Sequence, residues 1–277
     1  MRVDVRLTGL NLYPVKSCAG LPVAESILKP HGLEWDREWM VVDAGGQFLT
    51  QRGHPRMAQI RTALTGASLV LDFPGSGSLQ VPLRHSETYR SIRVSVWKDA
   101  VDALDCGKDA AAWFSSVLGV PARLVRWNSD CRRPCPQEWT GGVDAEARFA
   151  DAYPYLLLSE GTLEDLNRRI PGGGRLPMNR FRPNLVIEGC APLAEDVLTE
   201  LESPTIAFRA VKPCTRCSIT TTDQETAEVG PEPLRTLSTY RKDSRFSAPV
   251  LGQNLILIRG AGERVRIGDT MTLSVRA

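Results

Sequence analysis

The sequence predicts a β-rich α/β fold in two lobes, the first barrel-like over residues 1–120 and the second over residues 121–277. Three observations carry that expectation. Short β-favouring runs follow one another through the first hundred positions, broken by Ala44-Gly45-Gly46 and Pro74-Gly75-Ser76-Gly77, a spacing typical of barrels and sandwiches. Convincing helical periodicity begins only after Asp105-Cys106-Gly107. Between Asn128 and Ala145 the chain turns polar and rich in Pro, Gly and Arg, which reads as a loop that covers a site or links two lobes.

Val3 to Tyr13 alternates as a strand, and Pro14-Val15-Lys16-Ser17-Cys18-Ala19-Gly20 breaks it with turn formers. Further short strands are expected at Leu21 to Leu28, Trp39 to Val42, Leu69 to Phe73 and Ser91 to Trp97. Lys108 to Leu118 reads as a helix with Ala111, Ala112, Phe114, Ser115 and Leu118 inward, stopped by Gly119 and Pro121. Tyr153 to Leu158 is a short apolar strand, after which Ser159 or Thr162 can cap a helix that Pro171-Gly172-Gly173-Gly174 ends. Met178 to Pro183 is a basic loop entering a buried-type strand, and Pro231 opens a helix reaching Arg241. The tail returns to strands at Asn254 to Ile258 and Thr270 to Val275.

Composition narrows the function. With 34 basic residues against 32 acidic, the net charge of +2 gives no reason to expect nucleic acid or an anionic membrane as partner. Seven scattered cysteines form no small-scaffold disulfide framework, which fits a reducing compartment. No apolar run reaches the length of a spanning helix, and Met1-Arg2-Val3-Asp4 leads straight into a strand pattern, so a cytoplasmic protein without a membrane association is expected.

The chemistry concentrates in Lys212-Pro213-Cys214-Thr215-Arg216-Cys217-Ser218-Ile219-Thr220-Thr221-Thr222-Asp223. A C-x-x-C pair between Lys212 and Arg216 is a thiol site in a positive field, which favours thiolate. The strand-like runs Thr205 to Val211 and Ser218 to Thr222 place the cysteines on a loop between two strands. Three readings compete: a redox dithiol, half of a zinc site, and a single cysteine holding a metal cofactor beside basic residues. The dithiol expects a helix after the pair, where a Thr-rich run stands instead. Zinc needs a second pair, and Cys131 and Cys135 enclose Arg132 and Arg133. Buried, inert cysteines are a fourth possibility.

Three basic loops ask for a common explanation: Lys16-Ser17, Asp36-Arg37 and Arg180-Phe181-Arg182-Pro183-Asn184. Singly, each is an ordinary surface cation. Together with Lys212 and Arg216 they could surround a phosphate-bearing cofactor, because arginine forks match phosphate oxygens.

These motifs resemble the MOSC family, in the branch of mitochondrial amidoxime-reducing components and bacterial YcbX-like proteins. Tyr13-Pro14-Val15-Lys16-Ser17-Cys18 with Asp36-Arg37 resembles the family's N-terminal β-barrel, and Leu156 to Glu160, Asn179 to Asn184 and Cys214 to Asp223 resemble the MOSC domain, a mixed β-barrel. The resemblance implies a molybdenum cofactor, a molybdopterin whose metal is bound by one protein thiolate, and Cys217 matches that position, with Cys214 a neighbour. It also implies cofactor contacts at Lys16, Ser17, Arg37, Arg182 and Thr215, with Asn184 and Arg216 adjacent, a carboxylate beside the metal at Asp151, and a structural role for Cys190. The implied activity is reduction of small N-hydroxylated compounds, in which Asp151 could relay protons or orient substrate. The alternative is a carrier of the cofactor or of activated sulfur that uses the same cysteine. No cysteine follows Cys217, so electrons are expected from a separate donor protein rather than from an iron–sulfur domain of this chain.

Overall fold

The first strand of the chain finds partners from its middle and its end, and that pairing closes a barrel. The computed structural model describes residues 1–84 and 89–276. In chain order the strands are β1 (Arg2–Leu12), β2 (Leu21–Pro22), β3 (Glu25–Lys29), β4 (Gly32–Leu33), β5 (Trp39–Asp43), β6 (Arg61–Leu64), β7 (Ser68–Asp72), β8 (Ser78–Pro82), β9 (Arg90–Val96) and β10 (Asp99–Asp105). Helix α1 (Lys108–Leu118), β11 (Ala122–Trp127), the single turn α2 (Gln137–Thr140), β12 (Tyr155–Ser159), α3 (Glu160–Arg169), β13 (Leu185–Glu188), β14 (Leu198–Glu202) and β15 (Ala207–Thr215) follow. Then come α4 (Leu234–Tyr240), β16 (Val250–Arg259), β17 (Arg264–Arg266) and β18 (Thr270–Val275).

The barrel runs β1-β13-β12-β16-β15-β14-β18 and back to β1. Register places Val5 opposite Met271 and Leu10 opposite Leu185, so the alternation read in the first strand points Val5, Leu7, Leu10 and Leu12 into one core with Leu157, Phe208, Leu255 and Leu273. A second sheet, β5-β11-β10-β9, and the meander β6-β7-β8 build the other half. Their core packs Trp39, Val41, Leu69, Leu71 and Leu124 against Phe114 of α1.

Helix α1 has the predicted limits, but its buried face is Ala110, Phe114, Val117 and Leu118. The 4-3-1 spacing of those four follows one stripe of a 3.6-residue helix, whereas Ala112 faces solvent. Helix α3 is capped by Ser159, whose Oγ accepts from the Thr162 amide. The expected strand from Ser218 to Thr222 is absent. Ser218–Thr221 is a 3-10 turn instead, because the Thr220 and Thr221 hydroxyls donate back to the Cys217 and Ser218 carbonyls at 2.8 Å each, a local bond that competes with a strand ladder. Strand β15 therefore carries Cys214 itself, and Cys217 lies just past its end. Among the described residues no helix is long and apolar enough to cross a membrane.

Candidate cofactor pocket

The loops after β1 and before β5 are bound to each other along their backbones. Lys16 N donates to Trp39 O at 2.8 Å, Arg37 N to Tyr13 O at 2.9 Å and Trp39 N to Pro14 O at 3.0 Å. This zipper holds Ser17 and Arg37 in the left-handed region, at φ of 66° and 48°, and Arg182 shares it at 55°. Such conformations cost a non-glycine residue roughly 1–3 kcal/mol and persist where the surroundings enforce them. The Tyr13 ring gathers the side chains of two of them: the Arg37 and Arg182 guanidinium carbons lie 4.4 and 4.2 Å from its centroid. Arg182 Nη1 also donates to Cys18 O at 2.8 Å, tying the third basic loop to the first.

The cysteine stretch joins the same assembly. Register shifts in β15, between Ala210 and Lys212 and between Pro213 and Thr215, bend the strand near its end while Thr215 stays paired with Val250. Arg216 is buried there, donating from Nη2 to Phe181 O at 2.6 Å and from Nη1 to Cys214 Sγ at 2.9 Å. Burial pushes the Cys214 thiol up against the opposing pull of that guanidinium.

These segments line a shared pocket. Of the residues that the sequence singled out, Lys16, Ser17, Arg37, Asp151, Arg182, Thr215, Arg216 and Cys217 line it. Asn184 does not. It stands behind Arg37, its Oδ1 accepting from Arg37 Nη1 at 3.0 Å and from Leu156 N at 3.2 Å. Cys190 packs against the barrel core, away from the pocket.

Sequence reasoning missed Thr50 and Arg52, which also line the pocket, and gave Arg180 no role of its own. Arg52 reaches across the mouth, its Nη2 3.3 Å from Cys217 Sγ and its guanidinium 4.8 Å from the Trp97 ring. An exposed arginine after a turn carries no local signal of such a contact. Six cations, Lys16, Arg37, Arg52, Arg180, Arg182 and Arg216, thus face one lining carboxylate, Asp151. Two of the cations have carboxylate partners outside the lining: Asp36 for Arg37, and Asp223 at 2.8 Å for Arg180. The balance favours an anionic occupant, and the buried Nε groups of Arg180 and Arg216 have no partner among the described residues.

Lys16 and Asp151 form the acid–base pair of the wall. Lys16 Nζ lies 2.5 Å from Asp151 Oδ1 and donates to Phe149 O at 2.8 Å, and Trp97 Nε1 donates to the same carboxylate oxygen at 3.2 Å. Desolvation works against the charge on Asp151, but its side chain is 62% exposed, and Lys16, Arg52 and Arg37 hold it well below the usual carboxylate range. Burial lowers Lys16, with Asp151 opposing.

Cys131 and Cys135 do not approach this pocket. Cys131 packs against the cluster containing Trp127 and Phe149, and Cys135 lies in another with Tyr153 and Val211. Among the described residues no three His, Cys, Asp or Glu side chains gather as a metal site. A metal at Cys217 would therefore take its other ligands from a cofactor.

Residues 4–121 match the MOSC N-terminal beta barrel domain, and residues 144–272 match the MOSC domain. Mitochondrial amidoxime-reducing component 1 of Mus musculus is 34% identical, across 95% of this chain and 81% of that protein. Mitochondrial amidoxime reducing component 2 of Bos taurus is 32% identical, across 88% of this chain and 76% of that protein. A molybdenum cofactor sulfurase of Oryza sativa subsp. japonica is 34% identical across 86% of this chain, which corresponds to 31% of that longer protein.

Proposed function

Since the chain belongs to the MOSC-domain family, with amidoxime-reducing components among its relatives, we propose that it is a molybdenum-cofactor-dependent reductase of N-hydroxylated compounds. The carrying observation is the meeting of Cys217 with six cations in one pocket. A thiolate suits a redox-active metal, and the cations suit the phosphate of a molybdopterin.

In this reading Cys217 is the protein's metal ligand, and Lys16, Ser17, Arg37, Arg182, Thr215 and Arg216 hold the cofactor, with Asn184 bracing Arg37. When bound, the cofactor supplies a redox-active molybdenum for the two-electron chemistry. Reduction of an N–OH group consumes two electrons and two protons and releases water, so proton placement matters as much as the metal. Asp151, held ionised at neutral pH, is suited to accept a hydrogen bond from the substrate and orient it. The proton of the pair resides on Lys16, whose burial makes its ammonium more acidic than that of an exposed lysine. The electrons come from a separate donor protein.

Metal and pterin analysis of protein from cells that make the cofactor, wild type beside Cys217→Ala, tests this reading together with reduction of an aromatic amidoxime. Molybdenum near equimolar in wild type, lost with activity in the variant, is the expected result. Activity retained without Cys217 would overturn it. The sulfurase relatives give the rival reading its place: an extra sulfur on Cys217 with no molybdenum would indicate a carrier.

A further inference from the structure

Residues 148–154 form turns and bends with no ladder partner, so their carbonyls need donors from elsewhere. Four consecutive ones find them on two cations. Arg133 Nη1 donates to Arg148 O at 2.8 Å and to Ala150 O at 2.6 Å, Arg133 Nη2 to Asp151 O at 2.8 Å, and Lys16 Nζ to Phe149 O at 2.8 Å. The remaining Nε of Arg133 donates to Asp99 Oδ2 of β10 at 2.7 Å.

The backbone around Arg133 is fastened to the approach of the same turn. Ala147 N donates to Arg133 O at 3.0 Å and Cys135 N to Ala145 O at 2.8 Å. This antiparallel contact delivers the guanidinium beneath the turn, where it is 6% exposed. Arg133 lies in the stretch between the two family matches, which end at 121 and resume at 144.

We propose that Arg133 is the positioning residue of the pocket wall: it fixes the 148–151 turn so that the Asp151 carboxylate meets Lys16 in a single orientation at the pocket. The proposal rests on the reductase reading for what that orientation serves. A planar fork can span several carbonyls at once, whereas a lysine at this position presents its donors from a single point. Without the fork three carbonyls lose their partners and the turn relaxes, and a misplacement of about 1 Å at a reacting site costs on the order of a hundredfold in rate.

A double-mutant cycle on the full, molybdenum-loaded chain tests the claim. Arg133→Met and the milder Arg133→Lys are made alone and with Asp151→Asn. The readouts are kcat and KM for an aromatic amidoxime with a chemical reductant, the molybdenum content, and hydrogen exchange of peptides covering residues 148–154. Arg133→Met is expected to lower kcat/KM about tenfold or more when Asp151 is present and less than about twofold when it is Asn, because residues acting through one another are non-additive. Arg133→Lys is expected to fold without restoring the rate, and exchange rises in residues 148–154 alone. Equal proportional losses in both Asp151 backgrounds would overturn the proposal. Should wild-type protein hold no molybdenum, the reductase reading fails by itself and exchange decides: faster exchange confined to 148–154 supports the positioning, and unchanged protection there in either Arg133 variant refutes it.

Discussion

Gln51 and Gln224 exchange two hydrogen bonds through their terminal amides, Gln51 Nε2 to Gln224 Oε1 at 3.1 Å and Gln224 Nε2 to Gln51 Oε1 at 3.0 Å. Gln51 is wholly buried and also donates to Ser17 O at 2.8 Å. The pair joins the segment that ends in Arg52 to the one that follows Asp223, two sides of the same pocket.

Gln224→Ala removes the donor that serves the buried Gln51 oxygen. Leaving such a group unpaired costs about 1–3 kcal/mol. Urea unfolding should show that loss as a lower midpoint with an unchanged slope, and a midpoint equal to wild type would mean that water replaces the amide.

Asp151 makes acid stability a probe of the pocket. Its carboxyl is held below the usual range in the folded chain, so the ionised form stabilises the fold at any pH above the ordinary carboxylate value of about 3.9. That contribution disappears as pH falls below about 4 toward the depressed folded value. Stability curves of wild type and Asp151→Asn should run apart at neutral pH and converge in acid. Curves that stay parallel through that window would remove the Lys16–Asp151 charge pair as a stabilising contact.

Cys214→Ser separates one thiol from two. Cys214 Sγ is engaged by Arg216, and burial pushes that thiol up, a poor setting for a permanent ligand. Molybdenum content is expected to stay within about twofold of wild type. A loss as complete as that of Cys217→Ala would make the pair, rather than Cys217, the ligand.

Arg182→Lys tests the stacked cation. The guanidinium lies over Tyr13 in a left-handed backbone conformation and holds Cys18 O. An ammonium keeps the charge but loses the planar fork. Pterin recovered after dialysis is expected to fall several-fold, to about a tenth if a charge-assisted bond worth some 1.4 kcal/mol is lost. Full retention would exclude Arg182 from the cofactor's contacts.

Much of this was legible in the residues themselves. Local chemistry determined the limits of α1, ended by Gly119, although the face it buries is Ala110, Phe114, Val117 and Leu118 and only Phe114 and Leu118 of those were expected inward. It also determined the alternating first strand, and the Ser159 cap of α3. Each is settled by contacts within a few residues, so period and capping suffice. The basic loops and the cysteine stretch were visible as residue types, and the family resemblance supplied their common purpose.

Tertiary structure alone decided where they meet. The barrel closes because β1 pairs with β13 and β18, far along the chain, and no local pattern encodes that choice. Arg52 reaches Cys217 and Gln51 finds Gln224 across comparable distances in sequence, and Arg133 holds the Asp151 turn from 18 residues away. A polar side chain carries no periodicity that names its partner. Its hydrogen bonds are selected only when packing of the two cores has brought the loops together and removed the water that would otherwise satisfy them.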